Sequence, residues 1–341
     1  MFRIVIILIL AVSSIPHQGL SVNPYAKNIA LAEEYLISHL NRSLGLVYES
    51  DTPGPHWLTT EYPNFHWRYN ETYWLYSDNL FASLALRADY PQISELINES
   101  IRRYQQPPSG VFEIVEGEEI QLPLHVAADY VVAQSPNYVI MIRRHNATAI
   151  ALNWLDLWLY EALEYDLEGN YHSAQFLFRR AETMWTGNGF WDTSYLFTHT
   201  YSNHKLALFL FTALALGIPI HEEASMLRHL WGMQNEDGGI TSLADANGHP
   251  TGTANAETTA LTLLIYDQTL IAKFPKAQLP NVEQTSTLFA GVVILAAILS
   301  ATLLRRRPGR SGKTSIDSNR VSSFLYTSPR SPPSHYRSLP S

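Results

Sequence analysis

The chain of 341 residues contains no cysteine. That excludes disulfide bridges, thiolate nucleophiles and thiolate metal ligands together. Charge is thin as well: Asp, Glu, Lys and Arg make up 16% of the residues, with a formal net charge of -8. No Gly-rich phosphate loop, G-x-S-x-G elbow or H-E-x-x-H helix occurs, so phosphate cradling, elbow-type serine hydrolysis and zincin chemistry lack their signatures. Histidines number 13, but His199 and His204 are five apart and His221 and His229 eight apart. Neither spacing builds a ligand set. No metal and no cofactor are expected.

What is present begins at the ends. Residues 286–304 are a chargeless apolar run ending in Arg305, Arg306 and Arg307. At about 1.5 Å per helical residue it is roughly 28 Å long, enough to cross a bilayer's hydrocarbon core. Met1, Phe2 and Arg3 precede a short apolar run and small residues. This predicts a signal peptide over 1–21 cleaved after Ser21, with Ser14 as the alternative site. Residues 22–284 hold 14 Lys+Arg against 30 Asp+Glu, a balance of −16, whereas 305–341 hold 8 against one, a balance of +7. Acid outside and base inside is the pattern of a single-pass protein of the cell membrane with a cytoplasmic C-terminal tail. An acidic external domain also excludes nucleic acid as a partner. Sequons begin at Asn41, Asn70, Asn98 and Asn146, all between signal and anchor, which marks them as glycosylation candidates. The tail 305–341, with ten serines and five prolines, cannot bury a core and is expected to be disordered. Residues 275–285 read as a linker.

Between the ends, apolar positions at helical spacing predict helices over 24–44, 73–88, 91–104, 147–163, 171–185, 204–216, 222–234 and 256–271. Short β-like runs at 111–114, 120–124 and 138–142 predict a small β excursion. Four helices begin just after an asparagine and carry a small or apolar face: Asn79, Asn146, Asn203 and Asn255. Glycine-plus-apolar steps at Gly45, Gly110, Gly189 and Gly239 precede them. That order predicts helical hairpins set in a ring, with N-capping as the plain explanation of the asparagines.

The alternation resembles the α/α-toroid folds, namely the six-hairpin glycosidases and the terpenoid-cyclase and prenyltransferase group. Trp74-LYSDN-Leu80 is similar to the inner-helix start of the six-hairpin enzymes. Gln234-NEDGG-Ile240 is similar to the Q-x-x-x-G-x-W/F repeat of the cyclases, with isoleucine in the aromatic place. The implied fold is a mostly α, α/α-toroid ectodomain over 22–274 with a small β excursion, followed by one C-terminal transmembrane helix. There is no D-x-D-D run and no cysteine for a prenyltransferase zinc site, so the cyclase likeness implies fold and not activity.

Sugar enzymes of that architecture work with paired carboxylates. Asp78, at the start of an inner helix, is the first candidate acid, with Glu257 or Asp192 as its partner. Each also has a structural reading as a helix cap or first-turn acid. Aromatics crowd two stretches, and Trp57, Trp67, Trp74, Trp191 and Tyr201 are the candidate substrate-binding rings. The expected function is a cell-surface domain that binds, and in its fuller form hydrolyses, a glycan. The alternative is a non-catalytic toroid used as a scaffold or receptor.

Overall fold

The computed structural model describes residues 23–49, 71–74, 76–104, 109–135, 138–150 and 153–275, and of these it describes only the backbone at 71–74, 125–129, 134 and 143–150. All lie within one compact unit, Met1–Gln278. About half of the described residues are helical, with three small sheets beside them. The predicted span 286–304, the signal 1–21, the linker beyond 275 and the tail lie outside the described residues. Among those described, no helix is long and apolar enough to cross a membrane.

Two kinds of helix sort themselves by composition. Helices α2 (Ser77–Leu86), α4 (Leu155–Leu167), α7 (Asn203–Leu216) and α9 (Ala256–Leu264) bury residues on every face. A helix apolar all round has no side for water, so it must lie inside. Helices α1 (Ala26–Ser38), α3 (Pro91–Arg103), α5 (Tyr171–Glu182) and α8 (Glu223–Gly232) bury one stripe each, such as Ser94, Ile97 and Ser100, or Ala174, Phe178 and Ala181. Each striped helix packs on an interior one: α3 on α2, α5 on α4, α8 on α7 and α1 on α9. The interior helices adjoin in the order α2, α9, α7, α4. Stacked Phe178 and Phe209, 4.6 Å apart, join α5 to α7. Two short helices complete the ten among the described residues, α6 (Thr193–Thr198) and α10 (Gln268–Ile271). Gly217, at φ 63, ends α7 where a side-chain-bearing residue would be strained.

The sheets are local. Strands β1 (Leu40–Asn41) and β2 (Leu46–Val47) pair antiparallel. Strand β3 (Glu71–Trp74) runs parallel to β5 (Tyr138–Ile150), which pairs on its other side with β4 (His125–Ser135) in a long antiparallel hairpin. Strands β6 (Tyr201–Ser202), β7 (Thr241–Ala244) and β8 (Pro250–Ala254) form the third sheet.

Several boundaries differ from the periodicity. The predicted helix 147–163 is the end of β5 and then α4, because Asn153 at φ 58 turns the chain between them. The β-like run 111–114 lies mostly in a 3-10 turn, Phe112–Glu116, whose Phe112 wedges edge-on between Phe81 and Tyr160. The run 120–124 forms no strand. The predicted helix 256–271 is two helices, because Asp267 caps the second through the Leu270 N–H at 2.9 Å.

Candidate functional site

Three extended segments bind the N-terminal ends of the interior helices together. Asn79, in the first turn of α2, accepts from Val47 N at 2.7 Å, while Glu49 O accepts from Ala256 N at the start of α9, 2.8 Å. Asn203, opening α7, donates to Thr241 O at 2.7 Å, and Ile240 N donates to Thr259 Oγ1 of α9 at 2.9 Å. Asp192 completes the series. Its Oδ2 accepts from Leu155 N at the start of α4, 3.2 Å, and from the Lys205 ammonium of α7. The four helix N-termini therefore share one rim. Of the four recurrent asparagines, only Asn255 caps its helix, accepting from Thr258 N at 2.9 Å. Asn79 and Asn203 clamp strands, and Asn146 lies within β5.

The electrostatics of this rim have one exception. Interior helices α2, α4 and α9 each carry an acid in the first turn, Asp78, Asp156 and Glu257, where the helix dipole favours negative charge. Helix α7 carries Lys205 there instead, a cation at the wrong end, with its side chain only 3% exposed. Three acceptors offset that: Asp192 Oδ2, Ser194 Oγ at 3.1 Å and Asp156 Oδ1 at 3.5 Å. The Trp154 ring lies over the amine, 5.1 Å from its centroid. Asp192 also caps α6, its Oδ1 accepting from Ser194 N at 3.0 Å, Tyr195 N at 3.3 Å and Ser194 Oγ at 2.8 Å.

The same stretch presents aromatic rings. Trp191 is 59% exposed and stands edge-on to Tyr195 at 6.5 Å. Tyr195 stacks at 4.5 Å on the buried Tyr201. Tyr201 is fixed in turn by its hydroxyl, 3.1 Å from Thr186 Oγ1, and by Gly189, where any Cβ would fall inside the tyrosine ring. The pile is ordered from below, and its top ring faces solvent.

Of the candidate acids, Asp78 is buried with Ser77 Oγ donating to its Oδ1 at 3.0 Å. Glu257 is partly exposed on the neighbouring helix α9, and Asp192 is buried across the rim beside α7 and α4. Trp191, Asp192 and Tyr201 fall together, while Trp74 ends β3. Trp57 and Trp67 lie outside the described residues, as does Asn70. Asn41 begins a turn, accepting from Ser43 N at 3.1 Å, and Asn98 lies on α3. Among the described residues, no group of three or more His, Cys, Asp or Glu could hold a metal ion. Sequence reasoning missed Lys205, Asp156, Ser194 and Trp154. The signal that could have found them is Lys205 itself, a lone cation in the first turn of the apolar run NHKLALFLF. Comparison with protein-family profiles, characterised proteins and solved structures returned no match.

Proposed function

We propose that residues 22–274 form a domain of the α/α-toroid type whose rim binds a glycan, with Trp191 as the stacking ring. The pairing of each interior helix with one striped helix supports the toroid reading. So does Gln234, whose amide accepts from Asn28 Nδ2 at 2.6 Å and donates to Asn28 O at 2.8 Å, tying the Gln234-NEDGG turn back to α1. The observation that carries the glycan reading is Trp191, exposed on a ring pile that is otherwise pinned. A flat indole face, with only two χ angles to order, meets a sugar's apolar face at little cost in side-chain entropy. On this reading the chain is a single-pass protein of the cell membrane, with a cleaved signal, a span at 286–304, a cytoplasmic tail and external sequons.

In its hydrolytic form the reading makes Asp78 the general acid, with Glu257 or Asp192 opposite. The engagement of Asp192 with Lys205, and the burial of Asp78 at 2% exposure, favour binding without turnover, as in a scaffold or receptor. A glycan-array and polysaccharide-release screen on the ectodomain separates these. Trp191→Ala should abolish retention of the glycan while leaving thermal unfolding unchanged. Retention that survives the substitution sinks the proposal. Release that disappears in Asp78→Asn would make the domain an enzyme.

A further inference from the structure

The Lys205 cluster holds more than an ion pair needs. An amine and a carboxylate are in direct contact with side chains 3% and 1% exposed. The carboxylate's other oxygen, Oδ1, receives three donors: the N–H groups of Ser194 and Tyr195 at 3.0 and 3.3 Å and the Ser194 hydroxyl at 2.8 Å. That is how an acyl carbon is polarised for attack, because the same donors stabilise the oxyanion of a tetrahedral intermediate. A second carboxylate, Asp156, stands 3.5 Å from the amine, and Trp154 roofs the amine. We infer that Lys205 and Asp192 condense into an intramolecular amide, an isopeptide bond between two side chains, with Asp156 as the proton carrier.

The step balances without any co-reactant. Asp156 takes one proton from the Lys205 ammonium and passes it to Asp192 Oδ2, leaving a neutral amine facing a carboxylic acid. Nζ attacks Cγ, and charge collects on Oδ1 under its three donors. A second ammonium proton passes through Asp156 to Oδ2, the Cγ–Oδ2 bond breaks, and water leaves. The third proton stays on the amide nitrogen. Two opposite charges buried out of water become one neutral group, which removes the desolvation cost that a buried ion pair carries. Nucleophile, acyl carbon and proton carrier are held on three elements before reaction, so the entropy of bringing them together is already met. In a chain without cysteine, the bond is a covalent staple closing the stretch that carries Tyr195 and Tyr201. It stands independently of the glycan reading.

The test needs only the full chain, denatured and digested with trypsin. Cleavage at Arg180, Lys205 and Arg228 yields peptides 181–205 and 206–228 when the Lys205 amine is free. The inference predicts instead a single piece, 181–228, lighter by one water than its sequence, with fragments joining residue 192 to residue 205. Recovery of 206–228 in full yield, from folded protein left for several days, overturns it. The variant Asp156→Asn should form the linked piece on the order of 10²-fold more slowly. Linkage at the parent rate in that variant removes Asp156 from the mechanism.

Discussion

Helix α4 has a buried carboxylate at each end, and the two are treated in opposite ways. At its N-terminal end Asp192 accepts from three backbone N–H groups, a hydroxyl and an ammonium. At its C-terminal end Asp166 is wholly buried, and neither oxygen has a hydrogen-bond partner among the described residues. Depth does not distinguish them, since both are nearly inaccessible. Partners do. Burial alone pushes the Asp166 carboxyl up to about 7, so near neutrality this end relieves its cost by taking a proton. The Asp192 end, until any bond to Lys205 forms, meets its cost with donors and a cation. One end of the helix stores charge and the other expels it.

The harshest way to break that contrast is to remove the cation. Lys205→Met leaves Asp192 buried without its counter-ion, and against freshly folded, still unlinked protein the expected loss is about 3–5 kcal/mol in urea unfolding at neutral pH. Adding Asp192→Asn to that variant should recover much of the loss, because the stranded charge is gone. A single-variant cost below about 1 kcal/mol would place the pair with ordinary surface ion pairs and erase the distinction.

Asp166→Asn tests the other end. The folded pKa of about 7 lies above the ordinary aspartate value of 3.8. The folded state therefore binds the extra proton between those values. Its stabilising contribution is fully present below the unfolded pKa and is lost as pH rises through about 7. Asparagine carries no such slope, so its advantage should grow from pH 4 to pH 8, by on the order of 3 kcal/mol. Unfolding free energies for both proteins across that range decide it. An advantage that does not change with pH would mean Asp166 is ionised in the fold.

Smaller in effect is the packing under the rim. Gly189→Ala drives a methyl into the Tyr201 ring, and overpacking of that kind costs about 1–3 kcal/mol. If the ring pile moves as a unit, glycan retention should fall together with stability. Loss of stability with full retention would separate the Trp191 face from the pile beneath it.

How much of this is legible in the chain depends on what sets each feature. The striped helices are: spacing predicts 91–104, and the helix spans Pro91–Arg103. The start of α4 is not, because a positive φ at Asn153 and the sheet partners of β5 outweigh the local apolar pattern. Trp191 and Asp192 can be picked out as aromatic and acidic outliers beside a glycine. Their setting cannot, because Lys205 and Asp156 meet Asp192 only through the packing of α4 on α7. The asparagine recurrence is visible, but its meaning is tertiary. The sequence says only that asparagine caps helices well, whereas Asn79 and Asn203 hold strands.

Glu164 supplies an intermediate case between the two ends. It is 2% exposed, like its neighbours in the comparison, and one oxygen accepts from Ile120 N at 2.9 Å. Burial raises its pKa, with Glu168 and Glu119 adding to the rise and the Ile120 hydrogen bond opposing it. Its contribution to stability is thus lost as pH rises, as for Asp166, but one donor offsets part of the cost. Glu164→Gln keeps an acceptor for Ile120 and removes the charge. Its gain at pH 8 should be real but smaller than that of Asp166→Asn, about 1 kcal/mol or less. A gain as large as that of Asp166→Asn would mean that a single N–H does nothing for a buried carboxylate. The contrast between the ends of α4 would then rest on Lys205 alone.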